Sequence, residues 1–312
     1  MRTPSSLVLA LAFAVAGFPG TSARAADAPT PLRVATTAVD SGAEVYYAQD
    51  MGFFKKAGFE VEITSVSSGP TIAAGVASGA FEFAQVNVPS LVSAHDKGVA
   101  FSMVAPAGLY SDKAVTTALV VAKNSPLRTA KDLSGKTIAV NALLGIQQIA
   151  AEAWIDKNGG DSTTVKFVEL SISQELAAIP AGRIDAGVIT QPGLDGAAHD
   201  PTMSVMAPIY NGIANTFLVS AWMGSSQYVK DHPDIVKRFA DVILETARWA
   251  NTHQAQSAKI LEKYTQLAIG PTTTRVRYAE TFNPSDVQPV IDVSAKYGLI
   301  KKSFPAADFY AK

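Results

Sequence analysis

Four histidines, His95, His199, His232 and His253, are the first side chains to test for chemistry. Neither H-x-x-x-H nor H-E-x-x-H occurs, so no two imidazoles are spaced to share a helix face around a metal, and each reads as a surface or helix-end residue. The chain has no cysteine, hence no thiolate nucleophile, thiolate metal site or disulfide. No G-x-S-x-G elbow occurs. Ser134-Gly135-Lys136-Thr137 imitates the end of a phosphate loop, but position 130 is Ala where that loop needs Gly, and the run precedes a strand instead of following one. Gly135-Lys136 is therefore a turn. Glu82 and Asp185 stand at the starts of predicted strands, the wrong end for chemistry in an open α/β sheet. These residues predict no catalytic group, no metal and no cofactor.

What remains suits the holding of a small polar molecule. Gly79-Ala80-Phe81-Glu82 leads in ten residues to Pro89-Ser90-Leu91, and Gly182-Arg183-Ile184-Asp185 leads in ten residues to Pro192-Gly193-Leu194. Both stretches run from a turn glycine through an acid and an apolar strand to a helix opened by proline. Read as equivalent units of two lobes, they aim residues 87–89 and 190–192 at a shared cleft, because ligands of open α/β sheets sit beyond the carboxyl ends of strands.

The elements that must position these loops follow from periodicity. The run 32–37 is β-rich, and Ser41-Gly42-Ala43-Glu44 has capping-box spacing, which starts a helix at Ser41 that stops near Gly52. The alternation of Val61 and Ile63 with Glu60 and Glu62 marks a second strand, and Ser68-Gly69-Pro70 opens a helix. Strand 81–86, helix 89–97 and strand 101–105 complete a doubly wound, parallel-sheet pattern. A second set follows: strands 117–122 and 137–140, helix 146–157, strand 165–169, helix 174–181, strand 187–190, a helix from Pro192 and strand 203–206. One apolar run covers 216–222. Beyond it the pattern is helical, with Ile235, Phe239, Val242, Ile243 and Thr246 at helix spacing, and these helices return to the first lobe.

Residues 1–25 read as an export signal: Arg2, the apolar run 7–15, then the small-residue site Ala23-Arg24-Ala25. The run is too short to span a bilayer, which takes about 20 residues. Without Arg2 and Arg24 the chain keeps 24 basic against 27 acidic side chains, which gives no nucleic-acid footprint. The absence of cysteine after the signal removes a lipid anchor and points to a free periplasmic protein. The expected organisation is a signal peptide at 1–25, a discontinuous first lobe at 26–115 plus 216–312, and a second lobe at 116–215. Hinge candidates are 110–116 and 211–215.

Leu32-Arg33-Val34-Ala35, the Ala48, Gly52-Phe53-Phe54, Gly58-Phe59 and Val61 pattern, the Ser68-Gly69 helix start, and residues 132–140 resemble the nitrate, sulfonate, taurine and thiamine-pyrimidine-precursor family of periplasmic binding proteins. The resemblance implies a type II periplasmic-binding-protein fold: two doubly wound α/β lobes joined by a two-strand hinge, with ligand in the cleft. It also implies a non-enzymatic monomer that delivers its ligand to an ABC permease in the inner membrane. The family's contacts carried onto this sequence are Thr37 to Ser41 after the first strand, Ser67, Ser68 and Gly69 after the second, Asn87 to Pro89 after strand 81–86, and Asn215 at the hinge; the matched units, not the resemblance, add Gln191. At the second-lobe helix start, where many relatives place Gly-Ser-Thr, this chain has Leu144-Gly145-Ile146. Aliphatic surface there implies a ligand with an apolar part.

No arginine falls in a predicted cleft loop, Arg275 among those placed in turns or helices, so an anion would rest on helix N-termini and on Asn87, Gln191 and Asn215. The expected ligand is a small organic anion such as an aliphatic or aromatic sulfonate. The alternatives are a pyrimidine-type heterocycle stacked by Tyr46, Tyr47 or Trp222, or a sensor protein that presents its ligand to a membrane receptor.

Overall fold

The computed structural model describes residues 28–66 and 68–309; the signal-peptide expectation and Ser67 lie outside them. The chain opens with β1 (Thr30–Thr36), α1 (Glu44–Asp50), α2 (Phe53–Lys56), β2 (Phe59–Ser65), α3 (Gly69–Ala77), β3 (Phe83–Asn87), α4 (Val88–Asp96) and β4 (Phe101–Pro106). A short β5 (Gly108–Ser111) leads out to β6 (Thr117–Ala122), β7 (Thr137–Val140), α5 (Ile146–Lys157), β8 (Lys166–Glu169), α6 (Ile172–Ala178), β9 (Ala186–Thr190), α7 (Gly193–His199) and β10 (Met203–Ala207). The return runs through β11 (Thr216–Leu218), β12 (Ser220–Ser225), α8 (Ser226–Asp231), α9 (Pro233–Thr252), α10 (Gln254–Thr265), β13 (Arg277–Tyr278) and α11 (Pro284–Lys296).

Two five-stranded sheets carry the lobes, in the orders β2-β1-β3-β12-β4 and β10-β6-β9-β7-β8. The second order, reversed, reproduces the first strand for strand. β3 lies between β1 and β12 as β9 lies between β7 and β6, so the two units matched in sequence hold equivalent places. The sheets are mixed where the sequence pattern predicted parallel ones. β12 runs antiparallel to β3 and β4, and β6 antiparallel to β9 and β10. In each lobe the reversed strand is the one the chain makes just after crossing over, a feature that strand periodicity does not encode. The two crossings meet in a small third sheet, where β5 pairs antiparallel with β11 and with β13.

Three other expectations are corrected. The run 216–222 is two strands in two sheets, because the chain passes from the hinge ladder to the first lobe at Val219. The region after it is not wholly helical, since β13 closes the edge of the hinge sheet. The Ser41–Glu44 capping box does not form: Ser41 lies in a 3-10 turn (Asp40–Gly42), α1 starts at Glu44, and its Ala43 cap has no side-chain bond. Glu44 turns inward instead and accepts from Trp222 Nε1 at 2.6 Å. A box does form at Ser171 and Gln174, which starts α6 earlier than apolar spacing suggested.

The first lobe's core joins Leu32 and Val34 of β1 and Phe83 of β3 to Phe239, Val242 and Ile243 of α9. On α9 the buried positions 239, 242, 243, 246, 247 and 250 follow helical spacing, so one face of the helix covers the sheet. Phe83 stacks on Phe239 with ring centroids 4.1 Å apart. A separate cluster in the second lobe packs Ala118, Val120, Ala139 and Ile189 under Ile179, Leu194 and Ala197.

Candidate functional site

The loops at the carboxyl ends of β1, β2 and β3 share one edge of the first sheet because these strands are parallel. Thr37 donates its hydroxyl to Gln85 Oε1 (3.1 Å), and Gln85 Nε2 donates to the Ser41 carbonyl (3.2 Å). Ser220 Oγ donates to the same carbonyl at 3.1 Å. The 37–41 loop is thus clamped by β3 and β12. Two residues beyond Gln85, on the same face of β3, Asn87 caps α4: its Oδ1 accepts from Ser90 N (3.0 Å) and Ser90 Oγ (2.9 Å). The amide nitrogen of that side chain faces Gly69. A Cβ added to Gly69 would lie 2.7 Å from Asn87 Nδ2 and 2.8 Å from Ser90 Oγ. Only glycine lets the starts of α3 and α4 meet this closely. Ser68 is the N-cap of α3 without a side-chain cap bond, and Pro89 is buried in the first turn of α4.

From the second lobe the loop before α5 reaches toward these helices. Leu143 N–H donates to Glu169 Oε2 (3.1 Å) and Leu144 N–H to Gln148 Oε1 (2.8 Å). Gly145 is the N-cap and offers no side chain to the first amides of α5. Ile146 is buried, whereas Leu143 and Leu144 are 44% and 55% exposed, so the lobe's core takes one of the three aliphatic residues and leaves two outside. A cavity of about 350 Å³ opens between them and the first lobe, walled by Ala73 and Ala77 of α3, by Ser90 and Ala94 of α4, and by Leu143 and Leu144. Its size falls in the range of small-molecule sites.

The lobes also touch directly. Asp40 N–H donates to the Gln191 carbonyl at 3.2 Å, and Thr273 Oγ1 donates to Asp195 Oδ2 at 2.8 Å. Gln191 is buried, with its Oε1 accepting from Asp195 N at 3.2 Å. Asn215 is exposed just before β11, where its carbonyl accepts from Asp112 N at 2.8 Å, and no side-chain contact given by the structure ties it to the other candidates.

Two sequence readings change here. Arg275 reaches the cleft loop after all: it pairs with Asp40 at 2.7 Å, both side chains are buried, and Nη2 also donates to Tyr47 Oη at 2.7 Å. Val276 N–H donates to Asp40 Oδ2 at 2.6 Å, and Tyr278 donates its hydroxyl to the Asp40 carbonyl. The guanidinium is spent on Asp40 and braces the loop. The aromatic residues considered for stacking do not face the cleft. Tyr46, Tyr47 and Trp222 are 2%, 0% and 0% exposed, and Tyr46 stacks on Tyr264 while its hydroxyl pairs with Ser65 Oγ. Gln85, Arg275 and the Thr273–Asp195 pair were missed because each depends on a partner far away in the chain, whereas Ser90 bonds Asn87 only three residues away. The Pro-opened helix at 89 was the one local signal near any of them.

No group of His, Cys, Asp or Glu that could hold a metal occurs among the described residues. The site's resources are amide and hydroxyl donors, uncapped helix amides, the Lys97 ammonium at the cavity wall and aliphatic surface, a set suited to reversible binding.

Comparison with known proteins agrees. A Bacillus subtilis protein named for aliphatic sulfonate binding is 26% identical over 209 residues, covering 66% of this chain and 60% of its own length. The alkanesulfonate-binding protein SsuA of Xanthomonas axonopodis pv. citri, solved bound to MOPS, superposes with a TM-score of 0.76 at 17% identity, covering 92% of this chain and 99% of that one. The periplasmic nitrate-binding protein NrtA of Synechocystis gives 0.74 at 13% identity, covering 90% and 84%. All three are named as binding proteins and none as an enzyme. The family model described as NMT1/THI5 like matches residues 41–257, and the chain belongs to that family.

Proposed function

We propose that the chain is the solute-binding component of an ABC importer, periplasmic once residues 1–25 are removed, which captures a small organic anion between its lobes and presents the closed form to a membrane permease. The lobes are residues 26–115 with 216–312, and residues 116–215. One observation carries the reading. The cavity beside Gly69, Asn87 and Ser90 has walls from both lobes, and the lobes are bridged from Asp40 to Gln191 and from Thr273 to Asp195. A ligand that contacts both walls favours closure by its differential affinity for the closed state. Kinship with sulfonate- and nitrate-binding proteins supports an anionic ligand. The heterocycle reading loses its three stacking residues to the core, and nothing in the structure favours the sensor reading.

The test is a thermal-shift and calorimetry panel on residues 26–312, refolded from denaturant to strip carried-over ligand. It contains alkanesulfonates, taurine, arylsulfonates, aromatic carboxylates, nitrate and hydroxymethylpyrimidine. A ligand at 100 times its Kd stabilises by about 2.7 kcal/mol. Response to one anion class supports the reading, and silence from every anion defeats it.

A further inference from the structure

We propose that the second lobe carries an interaction site of its own, a groove between α6 and the free edge of β8 that takes an extended acidic peptide of a partner protein as an added strand. The groove, of about 570 Å³, lies outside the cleft between the lobes, and every residue lining it belongs to the second lobe. Its floor is aliphatic: Val168 of β8, Leu170 just after it, Ala177 and Ala178 of α6, and Ile184. Lys166 and Arg183 stand at the end where β8 and β9 begin, and Ser173 and Gln174 of the first turn of α6 at the other.

The groove exists because the lobes treat one position differently. Arg33 faces Glu62 across the β1–β2 ladder as Thr137 faces Lys166 across β7–β8. Arg33 N–H donates to Glu82 Oε2 (2.6 Å) as Thr137 N–H donates to Asp185 Oδ2 (2.8 Å). Arg33, Glu62 and Glu82 of the first lobe therefore correspond to Thr137, Lys166 and Asp185 of the second. In the first lobe the Arg33 guanidinium reaches along this face to Glu82 and to the Gly79 carbonyl at 2.9 Å. In the second, threonine leaves that space open and the facing acid has become a lysine. Arg183 adds a second cation, and among the described residues neither Lys166 nor Arg183 has an ion pair or a side-chain hydrogen bond. Of the acids around it, Asp185 is engaged by the Thr137 amide, Glu169 by the Leu143 amide, and Glu175 is turned into the core against Gly187. The excess positive charge over an aliphatic floor selects an acidic occupant.

The backbone edge makes the occupant a peptide. β8 ends its sheet, with β7 on one side and no strand on the other. Lys166 and Leu170 donate their N–H groups inward, to the Lys136 and Val140 carbonyls at 2.9 and 3.0 Å. By the alternation of a parallel ladder the N–H and C=O groups of Phe167 and Glu169 point outward. Such an edge is a template for a further strand, whose main-chain bonds give affinity and whose alternate side chains give specificity. Residues 166, 168 and 170 share the face that lines the groove. Alternate side chains of an added strand therefore meet the cation pair at one end and the aliphatic floor beyond it. The matching sequence is a short extended run with an acid at one end and aliphatic residues at the next alternate positions.

The experiment titrates residues 26–312 with acetylated eight-residue peptides that alternate serine with one aspartate and two valines, in both sequence directions, beside the same peptides with lysine for aspartate, and follows backbone amides by NMR. An aspartate peptide is expected to bind with a Kd of roughly 1 mM or below, to slow hydrogen exchange at the Phe167 and Glu169 amides, and to bind about fivefold more weakly to Lys166→Gln and to Arg183→Gln. Both side chains are exposed, and circular dichroism checks that the variants fold. No binding by either aspartate peptide overturns the proposal, as does binding that the lysine peptides match, that the variants leave unchanged, or that leaves both amides unprotected. Sodium sulfate that reproduces the peptide's shifts makes this a small-anion site and overturns the added strand. Protection of the edge by self-association, seen in sedimentation without peptide, gives the edge to a second copy and overturns the acidic partner. Solute binding is tested separately, since none of the cleft candidates lines this groove.

Discussion

Thr273 donates its hydroxyl to Asp195 Oδ2 at 2.8 Å, joining the segment between α10 and β13 to the first turn of α7 in the other lobe. The bond exists only while the lobes are together, so it adds to closure and not to the stability of either lobe alone. A partly buried bond of this kind is worth about 1 kcal/mol, or roughly fivefold in affinity. Thr273→Val is expected to weaken ligand binding by about that factor in calorimetry, with the apo melting temperature little changed. An unaltered Kd would remove the pair from the closing mechanism.

Asp40 and Arg275 form the buried brace behind the 37–41 loop, with three further hydrogen bonds from Tyr278, Val276 and the Arg275–Tyr47 contact around them. Removing one partner of such a pair leaves an unpaired buried charge and costs about 3–5 kcal/mol. Arg275→Met is expected to lower the urea midpoint accordingly, and Asp40→Asn combined with Arg275→Met to be less damaging than Arg275→Met alone. Additive losses in this double-mutant cycle would show that the two side chains act independently.

Glu175 gives stability a pH dependence. Its carboxyl is buried between α6 and β9, and burial pushes its pKa up to about 9, the Val188 amide offsetting only part. The folded state therefore keeps a proton that the unfolded chain releases near its ordinary carboxyl pKa. The contribution to stability is complete below that value and is lost as pH rises toward 9, by up to about 1.4 kcal/mol per pH unit. Glu44, raised in the same direction by burial with the Trp222 indole offsetting part, adds to the slope. Urea unfolding between pH 5 and 8.5 should show the wild-type protein weakening with pH, and Glu175→Gln should weaken less steeply. Parallel profiles would contradict a protonated Glu175.

Gly69→Ala is the most local test of the α3–α4 junction as part of the site. The added methyl would press on Asn87 Nδ2 and Ser90 Oγ at under 3 Å, and the cap must turn away. Loss of an Asn cap costs about 1 kcal/mol of stability. Affinity is expected to fall about tenfold or more while the thermal midpoint drops by only a few degrees. Wild-type affinity in this variant would exclude the α3–α4 junction from the site.

Most of the strand and helix order was legible because it rests on short-range periodicity. β1, β7 and α5 lie where alternation and helical spacing put them, and the matched units ending at Pro89 and Pro192 occupy equivalent places in their sheets. What failed was decided by contacts distant in sequence. Glu44 has the spacing of a capping residue, yet the Trp222 indole claims it from across the lobe. Arg275 reads as a surface cation until the fold delivers Asp40 to it. Tyr46 and Tyr47 look like ligand-stacking residues on one helix turn, and the return of α9 and α10 buries both. At the site, Asn87, Gly69, Gln191 and the Leu143–Leu144 loop could be named from strand ends and departures from a pattern, whereas Gln85 and the Thr273–Asp195 bridge could not.

The first sheet depends on β12 in a way that bears on how the chain is made. β4 has no neighbour in that sheet but β12, which ends at Ser225, so during synthesis the strand must wait, unpaired, until the whole second lobe has followed it out of the ribosome. A lobe that cannot close early leaves a long stretch of nascent polypeptide extended, the condition in which a protein-conducting channel can thread it. Circular permutants that place residues 220–225 ahead of β1 would finish the first lobe sooner and, on the proposed periplasmic role, should jam such a channel more often than the natural order does.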